Sequence, residues 1–126
     1  MENSKIKLVV EDRILLVKFL EDAFIDVSDL QEIYAFANTR SNGKKYCMIF
    51  EADGHYELSE AAVQYLSHNP DNKNVLAKAY VINTKEAQLK TKLHLLFDNP
   101  SLKPFTFATL SEAIIYLKGI LNKNKE

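Results

Sequence analysis

Apolar and polar positions along the chain follow two different periodicities, and the first of them is typical of β-strands. Ile6, Leu8 and Val10 alternate with Lys5, Lys7 and Val9. Charged residues fill 11–13, and a β-branched and aliphatic run occupies 14–19. Two strands joined by a tight turn are the simplest structure for this pattern. The chain therefore begins with a predicted antiparallel hairpin.

Apolar residues at helical spacing predict four helices after the hairpin. Asp26 or Ser28 can cap the first helix and Ser59 the second, because short polar side chains accept hydrogen bonds from free helix N–H groups. Asn83 and Thr109 open the third and fourth, and each has an acidic residue three positions later. The predicted helices span approximately residues 26–38, 59–69, 83–97 and 109–121.

Three apolar segments separate these helices. Tyr46–Phe50 and Ala77–Ile82 lack alternation, which indicates strands covered on both faces, and Phe105–Phe107 is a shorter strand. Because each segment follows a helix of crossover length, the strands should be parallel, with the helices packed on the sheet. The order ββαβαβαβα predicts an α/β fold with a mixed, mostly parallel sheet of about five strands and four helices.

The composition is that of one globular domain. The chain has 126 residues, of which 47% are hydrophobic and 26% charged, and only three are Gly and three Pro. We expect a single domain over residues 1–121 and a solvated tail over 122–126. A net charge of −1 gives no field that would attract nucleic acid or an anionic membrane.

The predicted location is cytoplasmic, without membrane insertion. The apolar residues near the N-terminus are interrupted by charges at 11–13, so they form neither a signal-peptide core nor a spanning helix. The single Cys47 lies inside an apolar run and cannot form an internal disulfide. We interpret it as a small buried hydrophobe in a reducing compartment, with a reactive thiol as the alternative.

The element order resembles that of the STAS domain of bacterial anti-sigma-factor antagonists, particularly the divergent SpoIIAA-like proteins. The resemblance spans nearly the whole chain. It rests on the hairpin at the start, on Ile25-Asp26 before the first helix, and on Phe105-x-Phe107 followed by Thr109-x-x-Glu112-Ala113. STAS domains are not enzymes; they bind proteins, nucleotides or other small ligands. The resemblance implies a non-catalytic binding or regulatory module without a cofactor.

Ser59 is the hydroxyl in register with the residue that the antagonists phosphorylate. The family has an Asp-Ser-Ser/Thr-Gly-like signature at this point, whereas this chain has Glu57-Leu58-Ser59-Glu60. A helix N-terminus favours phosphate, but Glu57 and Glu60 would repel it. Ser59 is therefore a candidate phosphosite or simply an N-cap, and we expect that no phosphoswitch operates here.

The loop after the central strand is the candidate ligand site. It contains Asp53, His55 and Glu57, and ligands of open α/β sheets gather beyond the carboxyl ends of the strands. A metal or acid–base site and a solvated loop histidine are both open interpretations. Neither His68 nor His94 stands at metal-ligand spacing from His55, so no metal is predicted.

Three side chains on the last two predicted helices form the candidate partner surface. At 100° per residue, Leu95 and Ile115 fall away from the core-facing stripes, and Tyr116 adjoins Ile115. Single exposed aliphatic residues are common in monomers. If these three were contiguous, they would suit a homodimer or another protein partner.

Three functions remain open. The leading hypothesis is a non-catalytic STAS-like module that acts through protein–protein interaction. The alternative is a small-molecule or lipid-binding domain, since the divergent relatives resemble lipid-transfer sheets as well. The third is an unrecognised enzyme that uses His55 with Asp53 or Glu57.

Overall fold

The computed structural model describes residues 2–52, 54–68, 73–81 and 105–123. The strands are β1 (Ile6–Glu11), β2 (Ile14–Phe19), β3 (Ala23–Ile25), β4 (Tyr46–Ala52), β5 (Tyr56–Leu58), β6 (Val75–Val81) and β7 (Phe105–Phe107). The helices are α1 (Val27–Ser41), α2 (Glu60–His68) and α3 (Leu110–Lys123). The predicted helix over 83–97 lies outside the described residues.

Five strands form the main sheet, in the order β1-β2-β4-β6-β7. β1 and β2 pair in antiparallel fashion, and the other three pairings are parallel. The predicted mixed, mostly parallel sheet is therefore confirmed. The predicted pairing of the two central apolar segments is confirmed as well, because β4 lies directly beside β6.

The turn between β1 and β2 is tight and left-handed. Glu11 pairs with Ile14, so only two residues connect the strands. Asp12 and Arg13 have φ angles of 49° and 64°, as in a type I′ turn. This turn matches the twist of a hairpin, although neither residue is the glycine that such a backbone favours.

Helices cover both faces of the sheet. α1 and α2 pack on one face, where the buried side chains include Leu30, Ile33 and Leu66 from the helices and Leu8, Met48 and Phe50 from the strands. α3 packs on the opposite face, where Ala113, Leu117 and Leu121 cover Cys47, Ile49 and Ala79. Within the described ranges, no helix is both long and apolar enough to span a membrane.

Cys47 is completely buried, as predicted for a small hydrophobe. Burial raises the pKa of its thiol to about 11, because a thiolate would lose its hydration in the core. The thiol is therefore protonated at neutral pH and is a poor nucleophile.

Lys78 is the one charged residue among the fully buried side chains of the described ranges. It lies in β6, and its Nζ donates a hydrogen bond of 3.0 Å to the carbonyl oxygen of Leu66. Leu66 is in the last turn of α2, where carbonyl groups have no partner within the helix. The lysine therefore ties the end of α2 to the sheet.

A second, two-stranded sheet was not predicted. Residues 23–25 and 56–58, to which the sequence pattern assigns no strand, form β3 and β5, which pair in parallel. Each strand has only three residues, so neither contains enough alternating positions to show a period. The pairing depends on the main sheet, which brings the two segments together.

Candidate functional site

The small β3–β5 sheet places the N-termini of α1 and α2 side by side. Ile25 pairs with Leu58, and the Ser59 N–H donates a 2.9 Å hydrogen bond to the Ile25 carbonyl. Each strand leads directly into a helix, so the two capping residues are neighbours in space. We call this region the paired-cap surface; it comprises Phe24, Asp26, His55, Glu57 and Ser59.

Asp26 is the N-cap of α1. Its carboxylate accepts a 2.8 Å hydrogen bond from the Val27 N–H, and its own N–H donates to the Asp29 carboxylate at 2.9 Å. The Asp26 side chain also accepts a hydrogen bond from the Asp29 N–H, and this reciprocal arrangement of Asp26 and Asp29 is a capping box. Lys5 donates to the same Asp29 carboxylate at 3.2 Å, which ties the start of α1 to the segment before β1.

Ser59 is the N-cap of α2, as predicted. Its hydroxyl oxygen accepts a 3.0 Å hydrogen bond from the N–H of Ala62, three residues into the helix. The Ser59 hydroxyl also donates a hydrogen bond of 2.7 Å to Oδ1 of Asp26. The caps of both helices are thus joined by one short hydrogen bond between residues far apart in the sequence.

The electrostatic state of Asp26 follows from this geometry. The hydrogen bond from the Ser59 hydroxyl is the largest influence that holds the pKa of Asp26 below its ordinary value of 3.8. The backbone N–H of Val27 and the positive charge of Lys5 act in the same direction. Asp26 is therefore a carboxylate at neutral pH.

The predicted ligand-site residues lie at the edge of the paired-cap surface. His55 Nε2 and Glu57 Oε1 are 3.5 Å apart, and the side chains are 45% and 62% exposed. The backbone carbonyl of His55 accepts a 2.6 Å hydrogen bond from the Asp22 N–H. Asp53, the third predicted residue, lies outside the described residues. The described ranges contain no cluster of three or more His, Cys, Asp or Glu residues that could hold a metal ion.

Phe24 is the aromatic residue of the paired-cap surface. It lies in β3 opposite Glu57 of β5, and half of its side chain is exposed. Its neighbours Ala23 and Ile25 are buried, so the alternation of a strand directs Phe24 outward. The sequence reasoning missed Phe24, because the short A-F-I segment gave no visible strand signal.

The predicted partner residues lie elsewhere, on α3. Ile115 is 72% exposed. Tyr116 is half-buried and packs on Phe107, with ring centroids 5.4 Å apart. Leu95 lies outside the described residues, so its distance from the other two remains untested.

A small concave region lies on the α3 side of the sheet. We call it the β1–α3 cleft, and its volume is about 50 Å³. Val9 and Leu16 of the hairpin, Ile49 of β4 and Ile114 of α3 supply apolar walls, while Glu11 and Lys118 stand on opposite sides. The cleft and the paired-cap surface lie on opposite faces of the sheet.

The family model of a domain of unknown function (DUF7793) matches residues 8–121. The chain belongs to this family. It is also similar to a crystal structure of an uncharacterized protein from the DUF3478 family with a SpoIIAA-like fold, from Shewanella loihica PV-4. That similarity has a TM-score of 0.51, covers 93% of this chain and 98% of the other, and is accompanied by 14% sequence identity. No curated protein matches the chain.

The SpoIIAA-like fold inferred from the element order is thus confirmed. The sequence identity of 14% supports the fold and carries no statement about activity. Any function of this DUF7793 chain must therefore be inferred from its own surfaces.

Proposed function

We propose that this protein is a non-catalytic binding module that recognises another protein through the paired-cap surface. The observation that carries the proposal is the half-exposed Phe24 on a strand beside two hydrogen-bonded helix caps. Aromatic residues dominate the binding energy of protein interfaces when a partner can enclose them. Phe24 is the aromatic anchor in this proposal.

The frame around Phe24 is already ordered. β3 pairs with β5, and the cap of α1 is hydrogen-bonded to the cap of α2. A surface that is fixed before binding loses little conformational entropy when a partner arrives. This preorganisation supports recognition of a partner with a complementary, well-defined shape.

Charge specifies the kind of partner. In the described part of the chain, the acidic residues on or next to the small sheet include Glu21, Asp22, Asp26 and Glu57, and His55 lies with them. An acidic border around an aromatic anchor favours a partner with basic residues around an apolar pocket. Such pairing accelerates association and weakens as salt increases.

The alternative function, small-molecule or lipid binding, has weaker support. The β1–α3 cleft has a volume of about 50 Å³, whereas ligand pockets are typically about 300–1,000 Å³. The cleft has space for one aliphatic group and none for an acyl chain.

Pull-down from a lysate of the native host tests the proposed function. Immobilised wild-type protein should retain one or more proteins that Phe24→Asp loses, because a carboxylate cannot enter an apolar pocket. Ile115→Asp is the matched control, since it places the same charge on the other exposed face. Equal retention by the two variants, with both shown to be folded by circular dichroism, would contradict the proposal.

A further inference from the structure

We infer that a second copy of this chain docks on the α3 face, with Ile115 of each copy inserted in the β1–α3 cleft of the other. This surface lies on the face of the sheet opposite the paired-cap surface. The inference therefore stands independently of the proposed recognition through Phe24. Four observations lead to it.

The first observation is the size of the cleft. Its volume of about 50 Å³ is a third of the roughly 150 Å³ cavity that holds benzene in another protein. A cleft of this size accepts part of one branched aliphatic side chain. Its walls are Val9, Leu16, Ile49 and Ile114, so they offer an isoleucine the same surroundings as a protein core.

The second observation is an isoleucine of the right kind beside the cleft. Ile115 is 72% exposed, the largest exposure among the large hydrophobic residues of the described ranges. It directly follows Ile114, which lines the cleft. An isolated exposed aliphatic residue is ordinary in a monomer. Here, however, the exposed Ile115 is next in sequence to a residue that lines the apolar β1–α3 cleft.

The third observation is the position of both features on one side of α3. Leu110, Ile114 and Lys118 line the cleft at intervals of four residues, so they form one stripe along the helix. At 100° per residue, Ile115 lies about 60° beyond Lys118, on the side away from the buried stripe of Leu117. A twofold axis that passes beside this side of α3 would place Ile115 of each copy at the cleft of the other. Such symmetry closes the assembly at two copies.

The fourth observation is a pair of opposite charges at the cleft. Glu11 is exposed on the sheet side and Lys118 on the helix side. Neither forms a salt bridge with any residue in the described part of the chain. Under twofold symmetry, Glu11 of one copy can meet Lys118 of the other, and the same pair then forms twice.

Sedimentation velocity over a concentration series provides the first test. We expect wild-type protein to show a monomer–dimer equilibrium, and Ile115→Asp to raise the dissociation constant by about ten- to thirtyfold, as for an interface hot spot. Phe24→Asp is the matched control and should leave the equilibrium unchanged. Ile115→Ser, which adds no charge, should also weaken the dimer and guards against a misfolded Asp variant.

Charge reversal provides a sharper test, because it distinguishes contacts between copies from contacts within one. Glu11→Lys and Lys118→Glu should each weaken self-association, since each creates two like-charge pairs in the dimer. An equimolar mixture of the two variants should recover a dimer, because every pair is then of opposite sign. A contact within one chain cannot be restored by mixing.

Several results would overturn the inference. The first is a wild-type protein that stays monomeric at millimolar concentration. The second is an equal effect of Ile115→Asp and Phe24→Asp on the dissociation constant of the dimer. The third is an equimolar mixture of the two charge variants that remains monomeric. Loss of dimerisation with Ile115→Asp while partner capture still depends on Phe24 would support both proposals separately. A wild-type protein that dimerises but captures no partner through Phe24 would count only against the proposed function.

Discussion

The Ser59 hydroxyl performs two tasks at once. It accepts a hydrogen bond from the Ala62 N–H and donates one to Asp26, so one side chain completes the start of α2 and stabilises the carboxylate that caps α1. A phosphate on Ser59 would remove the donor hydrogen and place negative charge next to Asp26. This geometry adds a physical reason to the expectation that no phosphoswitch operates at Ser59.

Replacement of Ser59 by alanine should destabilise the protein by about 1 kcal/mol, because an N-cap is lost. The same variant should raise the pKa of Asp26, because the largest influence that lowers it is gone. Urea unfolding measures the first effect, and carbon-detected NMR titration of the Asp26 carboxyl measures the second.

The pH dependence of the Ser59→Ala effect has a definite sign. A carboxyl whose pKa is lowered by folding contributes stability above its ordinary pKa of 3.8, and this contribution is lost as pH falls through its folded-state value. The stability difference between wild type and Ser59→Ala should therefore shrink below about pH 4. Ser28→Ala, an exposed substitution in the first turn of α1, is the control and should be nearly neutral.

At the scale of secondary-structure elements, the hydrophobic pattern of the sequence predicts the long strands and helices but not the three-residue strands β3 and β5. β4 contains five consecutive apolar residues, and α1 contains buried residues at helical spacing, so burial leaves a visible period in both. β3 and β5 have three residues each and form because the main sheet brings them together. The contact between Asp26 and Ser59 is missed for the same reason, since spacing along the chain carries no information about it.

Two turns with left-handed backbone give opposite predictions for glycine. Arg13 has a φ of 64° and Gly43 a φ of 78°. Arg13→Gly should stabilise the protein by about 0.5–1 kcal/mol by relieving the strain of a side chain in this region. Gly43→Ala should destabilise it by about 1 kcal/mol for the converse reason.

Apart from the two chain neighbours, no atom of the described residues lies within 4 Å of a Cβ placed on Gly43, so a clash with them does not explain a loss of stability there. Chemical unfolding of the two variants measures both effects. Changes of the same sign would show that contacts, rather than backbone conformation, control these turns.

At the scale of the whole molecule, the stability of the core depends on two buried groups, Tyr56 and Cys47, that stay protonated in the folded state. Burial raises the pKa of Tyr56 to about 12 and that of Cys47 to about 11. Both groups lose their protons more easily in the unfolded chain, where their ordinary pKa values are 10.0 and 9.0. The unfolded state therefore binds fewer protons than the folded state in alkaline solution.

The melting temperature should consequently fall between pH 9 and 12, first through Cys47 and then through Tyr56. Each group can account for up to about 3 kcal/mol, since its pKa rises by about two units and one pKa unit corresponds to 1.36 kcal/mol. Thermal unfolding of Tyr56→Phe should show a shallower decline between pH 10 and 12 than wild type. An identical slope in the two proteins would exclude Tyr56 as a source of the decline.

The amine of Lys78 has a consequence for the life of the protein in its host. The side chain is fully buried between α2 and the sheet, and its Nζ donates a hydrogen bond to the carbonyl oxygen of Leu66. Acetyltransferases and ubiquitin ligases need an accessible lysine, so they cannot reach this one while β6 remains in place. Acylation found on Lys78 would therefore indicate that the modification took place during synthesis or after the protein had unfolded.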